Sequence, residues 1–378
     1  MKFAICITRA VPGGATVFVF DLARFLKRAG HDVHVLAGDG EWLVEKCADV
    51  QIPFHRLQWM QRELNPYKDT RALFELTSKL KELKPDAIHL NSSKIGVLGS
   101  LAGKLAGIKN IVYCIGGWAF LEPMSKTKRA IIVFAERIAA KFRDAIVCVH
   151  PGDVEAAKRE GIKPKQQLLS IPNGVDVAVF DAQLLTRECA REILELRNSD
   201  FIFGSIANFY PAKDLPNFIL ATKRYRELGG TGVVAIIGDG PLRAETEKAI
   251  QDAGSDSYFM LLGGKENASQ YLAAFDAYAL PSAKEGMPIS LLEAMAASLS
   301  CIVTDVGAMR WMIEPDAGLI IEAHNPESLA RAMLRLERDV DSREAFGTQA
   351  RRVVTDRFPL QKTLEAHEKL LTLPKQAI

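Results

Sequence analysis

The stretch ALPSAKEGMPISLLEAMAA, residues 279–297, decides how the rest of the chain is read. It begins as the end of an apolar strand, 277–280, turns through the polar residues 281–286, and enters a helix near Pro288. The fixed φ of a proline suits a first helical position. Gly286 lets backbone approach a ligand closely, and the N–H groups that open the helix, at the positive end of its dipole, form an anion site. Glu285 lies in the turn and Glu293 about one and a half turns into the helix. A carboxylate this near a phosphate site is better suited to accepting hydrogen bonds from hydroxyls than to facing the phosphate. A diphosphate with hydroxyl-bearing groups at both ends describes a nucleotide sugar. Read alone, the stretch also fits a plain surface loop that opens an amphipathic helix.

The string P-S-x-x-E-G-x-P-x-x-L-L-E-A-M-A resembles the E-x7-E motif of retaining glycosyltransferases of the GT-B fold, here Glu285, seven residues and Glu293. Further matches follow in order. Residues 206–214, IANFYPAKD, resemble G-R-x-x-x-x-K-G, with Asn208 at the usual Arg position and Lys213 at the Lys position. Residues 172–176, PNGVD, resemble the string between the two domains of that family. IGDGPL at 237–242 resembles its G-x-G-P turn. HLNSSKIG at 89–96 followed by GGWAF at 116–120 resembles a bacterial group that builds surface polysaccharides. That group has His where this chain has Gly116. Ser298 and Ser300 stand where Gly and Pro are usual, and Trp311 where Glu is common.

Outward from this motif, the chain alternates apolar strand-like runs with helical patterns. The first half has strands at 2–7, 31–37, 86–90, 110–114, 145–149 and 168–171, with a Gly-rich turn, Pro12-Gly13-Gly14, before a helix over 15–29. The second half has strands at 201–206, 233–237, 259–262, 277–280, 301–304 and 319–321. Alternation of this kind predicts parallel sheets covered by helices on both faces, whose ligands bind beyond the carboxyl ends of the strands. The expectation is an α/β chain of GT-B class with two Rossmann-like, doubly wound domains. The first spans 1–171, with the C-terminal helix at about 360–378 returning to it, and the second spans 172–359. The opening βα turn lacks G-x-G-x-x-G, so no dinucleotide fingerprint is present.

Composition bounds the rest. The chain has 378 residues, 48% hydrophobic and 25% charged, with net charge +2, which is ordinary for a globular protein and gives no electrostatic footprint for nucleic acid. Six scattered cysteines without C-x-x-C read as reduced and buried. The first residues lack a signal-peptide pattern, and no apolar run approaches about 18 residues, so a transmembrane helix is not expected. The D-x-D at Asp339–Asp341 lies in a charged helical segment, away from any strand end. Residues 123–143 mix Lys126, Lys128, Arg129, Arg137, Lys141 and Arg143 with Ile131, Ile132, Val133, Phe134, Ile138 and Phe142. They read either as a core helix with a solvated basic face or as a surface for anionic lipid. His89, at a strand end, reads either as structural or as a contact residue.

The resemblance implies a retaining, metal-independent hexosyltransferase. It would take UDP- or GDP-sugar as donor, need no cofactor, and use a glycan or glycolipid acceptor in surface polysaccharide synthesis. Location would be cytoplasmic, with peripheral contact at the inner membrane left open. The implied donor set is Gly14, Asn208, Lys213, Gly263, Glu285, Gly286, Met287, Pro288, Ile289 and Glu293, with Lys213 and Glu285 catalytic. Gly116, Gly117 and Trp118 would line the acceptor or sugar side. A weakened transferase that only binds nucleotide sugar, and a nucleotide-sugar epimerase of the same fold, remain alternatives.

Overall fold

A computed structural model describes residues 1–122 and 124–373. The chain divides into two compact units, Met1–Asn173 with Gln361 onward, and Gly174–Leu360.

Unit 1 holds seven strands: β1 (Lys2–Ile7), β2 (Asp32–Ala37), β3 (Phe54–Arg56), β4 (Ala87–Asn91), β5 (Asn110–Ile115), β6 (Ala145–Cys148) and β7 (Gln167–Ser170). They form one parallel sheet in the order β3-β2-β1-β4-β5-β6-β7. The inner strands are continuous apolar runs, as strands covered on both faces must be; β1 reads KFAICI and is buried from Phe3 to Ile7. The short β3 and the helices Trp42–Asp49 and Pro66–Leu83 were not anticipated from sequence.

The last helix, Leu360–Thr372, closes unit 1 with a stripe of Thr363, Leu364, His367, Leu370 and Leu371. Asn110 Nδ2 donates to the carbonyls of Leu370 and Leu371 at 2.8 and 3.1 Å, satisfying groups that a helix end leaves open. His367 Nδ1 lies 2.9 Å from Nε2 of His89, both rings buried and both against Phe18. The Asn91 amide nitrogen sits 3.0 Å from His89 Nδ1. With Nδ1 accepting from that amide, His89 carries its proton on Nε2 and donates it to His367. His89 therefore takes the structural of its two readings. Burial drives the pKa of both rings down, that of His367 to about 3 and that of His89 well below the ordinary value, where the neighbouring His367 adds to the effect.

Unit 2 holds β8 (Ile202–Ile206), β9 (Val233–Ile237), β10 (Phe259–Leu261), β11 (Ala277–Leu280), β12 (Ser300–Thr304) and β13 (Gly318–Ile321). All are parallel, in the order β10-β9-β8-β11-β12-β13. Two short helices precede β8, Val177–Gln183 and Arg187–Ile193, each capped by a side chain, Asp176 and Thr186. After β13 come the helices Pro326–Arg338 and Val340–Arg357, followed by Leu360–Thr372 of unit 1. Pro123 and residues 374–378, which both fall in segments read from the sequence, lie outside the described residues.

No described helix is long and apolar enough to cross a membrane. All six cysteines are free thiols and all but Cys189 are buried; burial pushes the thiols of Cys6, Cys47 and Cys114 up to about 12.

Candidate active site

In unit 2, strand order runs outward from β8 in both directions, with β9 and β10 on one side and β11, β12 and β13 on the other. The crevice of an open parallel sheet lies at such a reversal, beyond the carboxyl ends of the two central strands. Here those strands are β8 and β11, and the loops that leave them carry Asn208, Lys213 and Glu285.

The two loops are tied together. The N–H groups of Ala283 and Lys284 both donate to the carbonyl of Ala212, at 2.9 and 3.2 Å. Lys213 Nζ donates to Glu285 Oε1 at 2.5 Å, and Ser282 Oγ donates to the same oxygen at 2.7 Å. The side chains of Lys213 and Glu285 are mostly covered, 18% and 11% exposed. An ion pair so placed is far less screened than a surface pair, and Glu285 uses one of the three N–H donors of the ammonium. Beneath them Tyr278, in β11, bonds the backbone of Ile206 in β8 and the side chain of Ser290; burial raises its pKa, so it acts as a neutral hydroxyl strut.

A third loop, after β12, fixes the Glu285 turn from the other side. Thr304 Oγ1 donates to the Ser282 carbonyl at 2.6 Å, and Ala308 N to the Gly286 carbonyl at 2.8 Å. Gly307 makes that approach feasible. Its φ is +56°, and a Cβ there would stand 2.2 Å from the Glu285 carbonyl oxygen and 2.7 Å from that of Gly286. Sequence reading missed this loop, although Val306-Gly307 directly after an apolar strand was a usable sign of a tight turn.

The helix after the turn is Ile289–Ala296, and Pro288 is its N-cap, with ψ 125°, where sequence reading had put it inside the first turn. Proline has no N–H, so Pro288 cannot donate to an anion as the donor set implied. Its carbonyl instead accepts from Leu291 at 3.2 Å. The first helical N–H groups are those of Ile289 and Ser290. Met287 is buried and Glu293, at the fifth helical position, is half-buried. Asn208 is exposed in the loop after β8. Gly263 follows β10 with φ +74°, and its carbonyl accepts from Gly238 N at 2.9 Å, tying the loops after β9 and β10.

Two departures from the family pattern acquire physical content. Ser298 adopts φ +59°, the left-handed region that glycine fills without strain. Trp311 is half-buried, edge-on to Phe358 and beneath the Arg357 guanidinium. Asp339 caps the helix Val340–Arg357 by accepting from Ser342 N and Oγ at 3.0 and 2.6 Å, so this half of the D-x-D is a structural cap.

In unit 1, Gly14 is exposed and is the first residue of the helix Gly14–Arg28 after β1. Gly116 and Gly117 follow β5; Gly117 has φ +123°, and a Cβ on Gly116 would meet nothing within 4 Å. Trp118 is a core residue. It is 1% exposed, stacked on Phe120, and its Nε1 donates to the Asp153 carbonyl at 2.8 Å. The accessible part of this motif is therefore its two glycines.

The glycosyl transferases group 1 family matches residues 186–353, and the glycosyl transferase 4-like domain matches residues 13–174. The UDP-Gal:alpha-D-GlcNAc-diphosphoundecaprenol alpha-1,3-galactosyltransferase of Escherichia coli is 31% identical over 282 residues, covering 74% of this chain and 73% of that protein. The capsular polysaccharide biosynthesis glycosyltransferase CapM of Staphylococcus aureus is 22% identical, covering 92% of this chain and 91% of its own. The fold is shared with Anabaena Alr3699/HepE, solved in complex with UDP-glucose, at a TM-score of 0.82 and 20% identity, over 99% of this chain and all of that one.

Proposed function

Since this chain belongs to the group 1 glycosyltransferases of GT-B fold, we propose that it moves a hexose, with retention of anomeric configuration, from a nucleoside diphosphate sugar to a sugar hydroxyl of a lipid-linked oligosaccharide in surface polysaccharide synthesis. The observation that carries the reading is the Lys213–Glu285 pair at the β8–β11 reversal. It sets a cation and a hydroxyl acceptor side by side, beside the first N–H groups of a helix.

In this reading the anomeric carbon–oxygen bond to the diphosphate breaks and the acceptor oxygen takes its place, the acceptor proton leaving with the nucleoside diphosphate. Lys213 faces the charge that develops on the leaving diphosphate. A preorganised cation at such a point contributes roughly 3–4 kcal/mol of barrier. The backbone around Gly286 and Ile289 adds hydrogen bonds at the helix start. Glu285, held by Ser282, receives hydroxyls of the transferred sugar, and Glu293 receives those of the ribose. Charge compensation by Lys213 and these amides makes transfer independent of a divalent cation, and no cofactor takes part.

The named relatives support a UDP-hexose, with UDP-galactose first, and an N-acetylhexosamine on a lipid diphosphate as acceptor. An acceptor of that kind would hold the enzyme at the cytoplasmic face of the membrane. The test is incubation with UDP-galactose and a short-chain lipid-diphosphate GlcNAc. Product mass is read by mass spectrometry and anomeric configuration by NMR, with and without chelator. An α-linked disaccharide formed at rates within about twofold in chelator is expected, a barrier change below about 0.5 kcal/mol. A β-linked product would overturn retention. Metal-restored activity would overturn the charge assignment. Nucleoside diphosphate release without sugar transfer across a donor and acceptor panel would overturn the transferase reading itself.

A further inference from the structure

The helix Lys126–Ala140 buries one face and leaves a second apolar stripe uncovered. Its buried positions are Val133, Glu136, Ala139 and Ala140. Ile131, Phe134 and Ile138 face outward, 63%, 64% and 41% exposed. At 3.6 residues per turn these three fall on one stripe. Among the buried positions Glu136 is held by a charge pair. Arg143, with no exposed surface, donates to Glu136 at 2.7 Å, to Ser100 Oγ at 2.8 Å and to the Gly96 carbonyl at 3.0 Å, and its guanidinium lies 4.0 Å from the centre of the Tyr113 ring. The core-helix reading of this segment holds for the face that carries Val133, Ala140 and the half-buried Ile132, which join the core of unit 1, while Ile131, Phe134 and Ile138 form a second apolar stripe on the outside.

A single exposed apolar residue is ordinary, whereas a stripe marks an interaction surface. The charges around it point to the partner. Between residues 124 and 142 the only carboxylate is the buried Glu136, and the cations are Lys126, Lys128, Arg129, Arg137 and Lys141. Arg129 and Arg137 share Glu160, and against Lys126, Lys128 and Lys141 the flanking sequence sets one more carboxylate, Glu122, so the segment keeps a positive excess. The same helical layer, in which Ser93–Leu105 packs against both Pro66–Leu83 and Lys126–Ala140, also exposes Phe74 and Leu105.

We propose that this face docks on an anionic membrane surface. Ile131, Phe134 and Ile138 enter the boundary between headgroups and acyl chains, and Lys126, Lys128 and Lys141 meet lipid phosphates. A bilayer carrying anionic lipid offers apolar depth and negative charge together, which is the combination this face presents. The proposal extends the lipid-linked acceptor reading and is tested apart from it.

The full chain is floated with vesicles of phosphatidylcholine alone and of phosphatidylcholine mixed with phosphatidylglycerol, and transfer to a water-soluble acceptor is measured in parallel. Binding to the mixed vesicles only is expected, weakening as salt is raised. Binding should fall more than about tenfold in the I131S/F134S/I138S variant and in the K126E/K128E/K141E variant. Both sets of changes are at the surface, so melting and transfer to the soluble acceptor should stay as in the unaltered protein. Absence of vesicle binding, binding unchanged in both variants, or a concentration-dependent dimer that only the apolar variant loses would each overturn the proposal. Loss of soluble transfer in the unaltered protein would instead strike the functional reading alone.

Discussion

Acidification should destabilise unit 1 through the buried histidine pair, and one substitution should remove part of that effect. In the folded chain His367 titrates near 3, whereas in the unfolded chain it returns to the ordinary value of about 6.5. Between these values the unfolded state binds a proton that the folded state refuses, so stability falls as pH is lowered. The contribution is complete above about 6.5 and drains away down to about 3. At pH 5 the separation from 6.5 is about 1.5 pH units, which at about 1.4 kcal/mol each is about 2 kcal/mol from His367 alone. His89, also shifted down, acts in the same direction. For a unit of this size about 2 kcal/mol corresponds to a lowering of Tm by roughly 4–8 °C.

Carboxylates also contribute to acid sensitivity, so the informative quantity is a difference. His367→Gln keeps an oxygen able to accept from His89 Nε2 and deletes one titrating ring. Tryptophan fluorescence suits the measurement, because Trp42, Trp59 and Trp118 lie in unit 1 and only Trp311 in unit 2. The variant should melt lower than the unaltered protein at pH 7.5 and lose less on going to pH 5, so that the two curves converge. Parallel curves over that range would show that the pair carries no proton linkage, and the burial argument for it would be wrong.

Lys213→Ala should lower transfer by about two to three orders of magnitude, the loss expected on removing one preorganised charge partner; a loss under about fivefold in steady-state rates would remove Lys213 from the chemistry. Glu293→Gln should weaken nucleoside diphosphate binding at least about threefold, since a hydrogen bond to a charged group is worth about 1.5–3 kcal/mol; unchanged affinity by calorimetry, with normal melting, would make Glu293 structural only. Gly116→His should fold normally, because space is open at the Cβ position. In the proposed reading it should slow transfer from the native donor, and a rise of about tenfold, about 1.4 kcal/mol of barrier, would show that the glycine marks a missing catalytic group.

The sheet strands were legible because buried parallel strands are unbroken apolar runs, as in residues 2–7 and 277–280. The strand Phe54–Arg56 was not, being three residues long, partly exposed and ending in a charge. Helix Pro66–Leu83 did carry signals, an Asn65 cap and Pro66 at its start with Ala72, Leu76 and Leu80 at helical spacing, and was overlooked. Lys213 and Glu285 could each be singled out by local motif, but their contact could not. They are 72 residues apart, and they meet because β8 pairs with β11, a strand order that no local pattern encodes. The outward face of Lys126–Ala140 was hidden for a similar reason. The partner that draws Glu136 inward, Arg143, lies past the end of the helix, so periodicity within the helix could not tell which face was buried.

The return of Leu360–Thr372 to unit 1 also sets an order of events during synthesis. Residues 1–173 leave the ribosome long before the helix that covers His89, Phe18 and the end of β5, and the whole of unit 2 is made in between. Unit 2 is one continuous segment and can complete its core as soon as it has emerged. The first-made unit is therefore the last that can finish folding. Until then His89 and Phe18 lack the cover of that helix, and a chain released after residue 359 should be a better chaperone client than the full-length one.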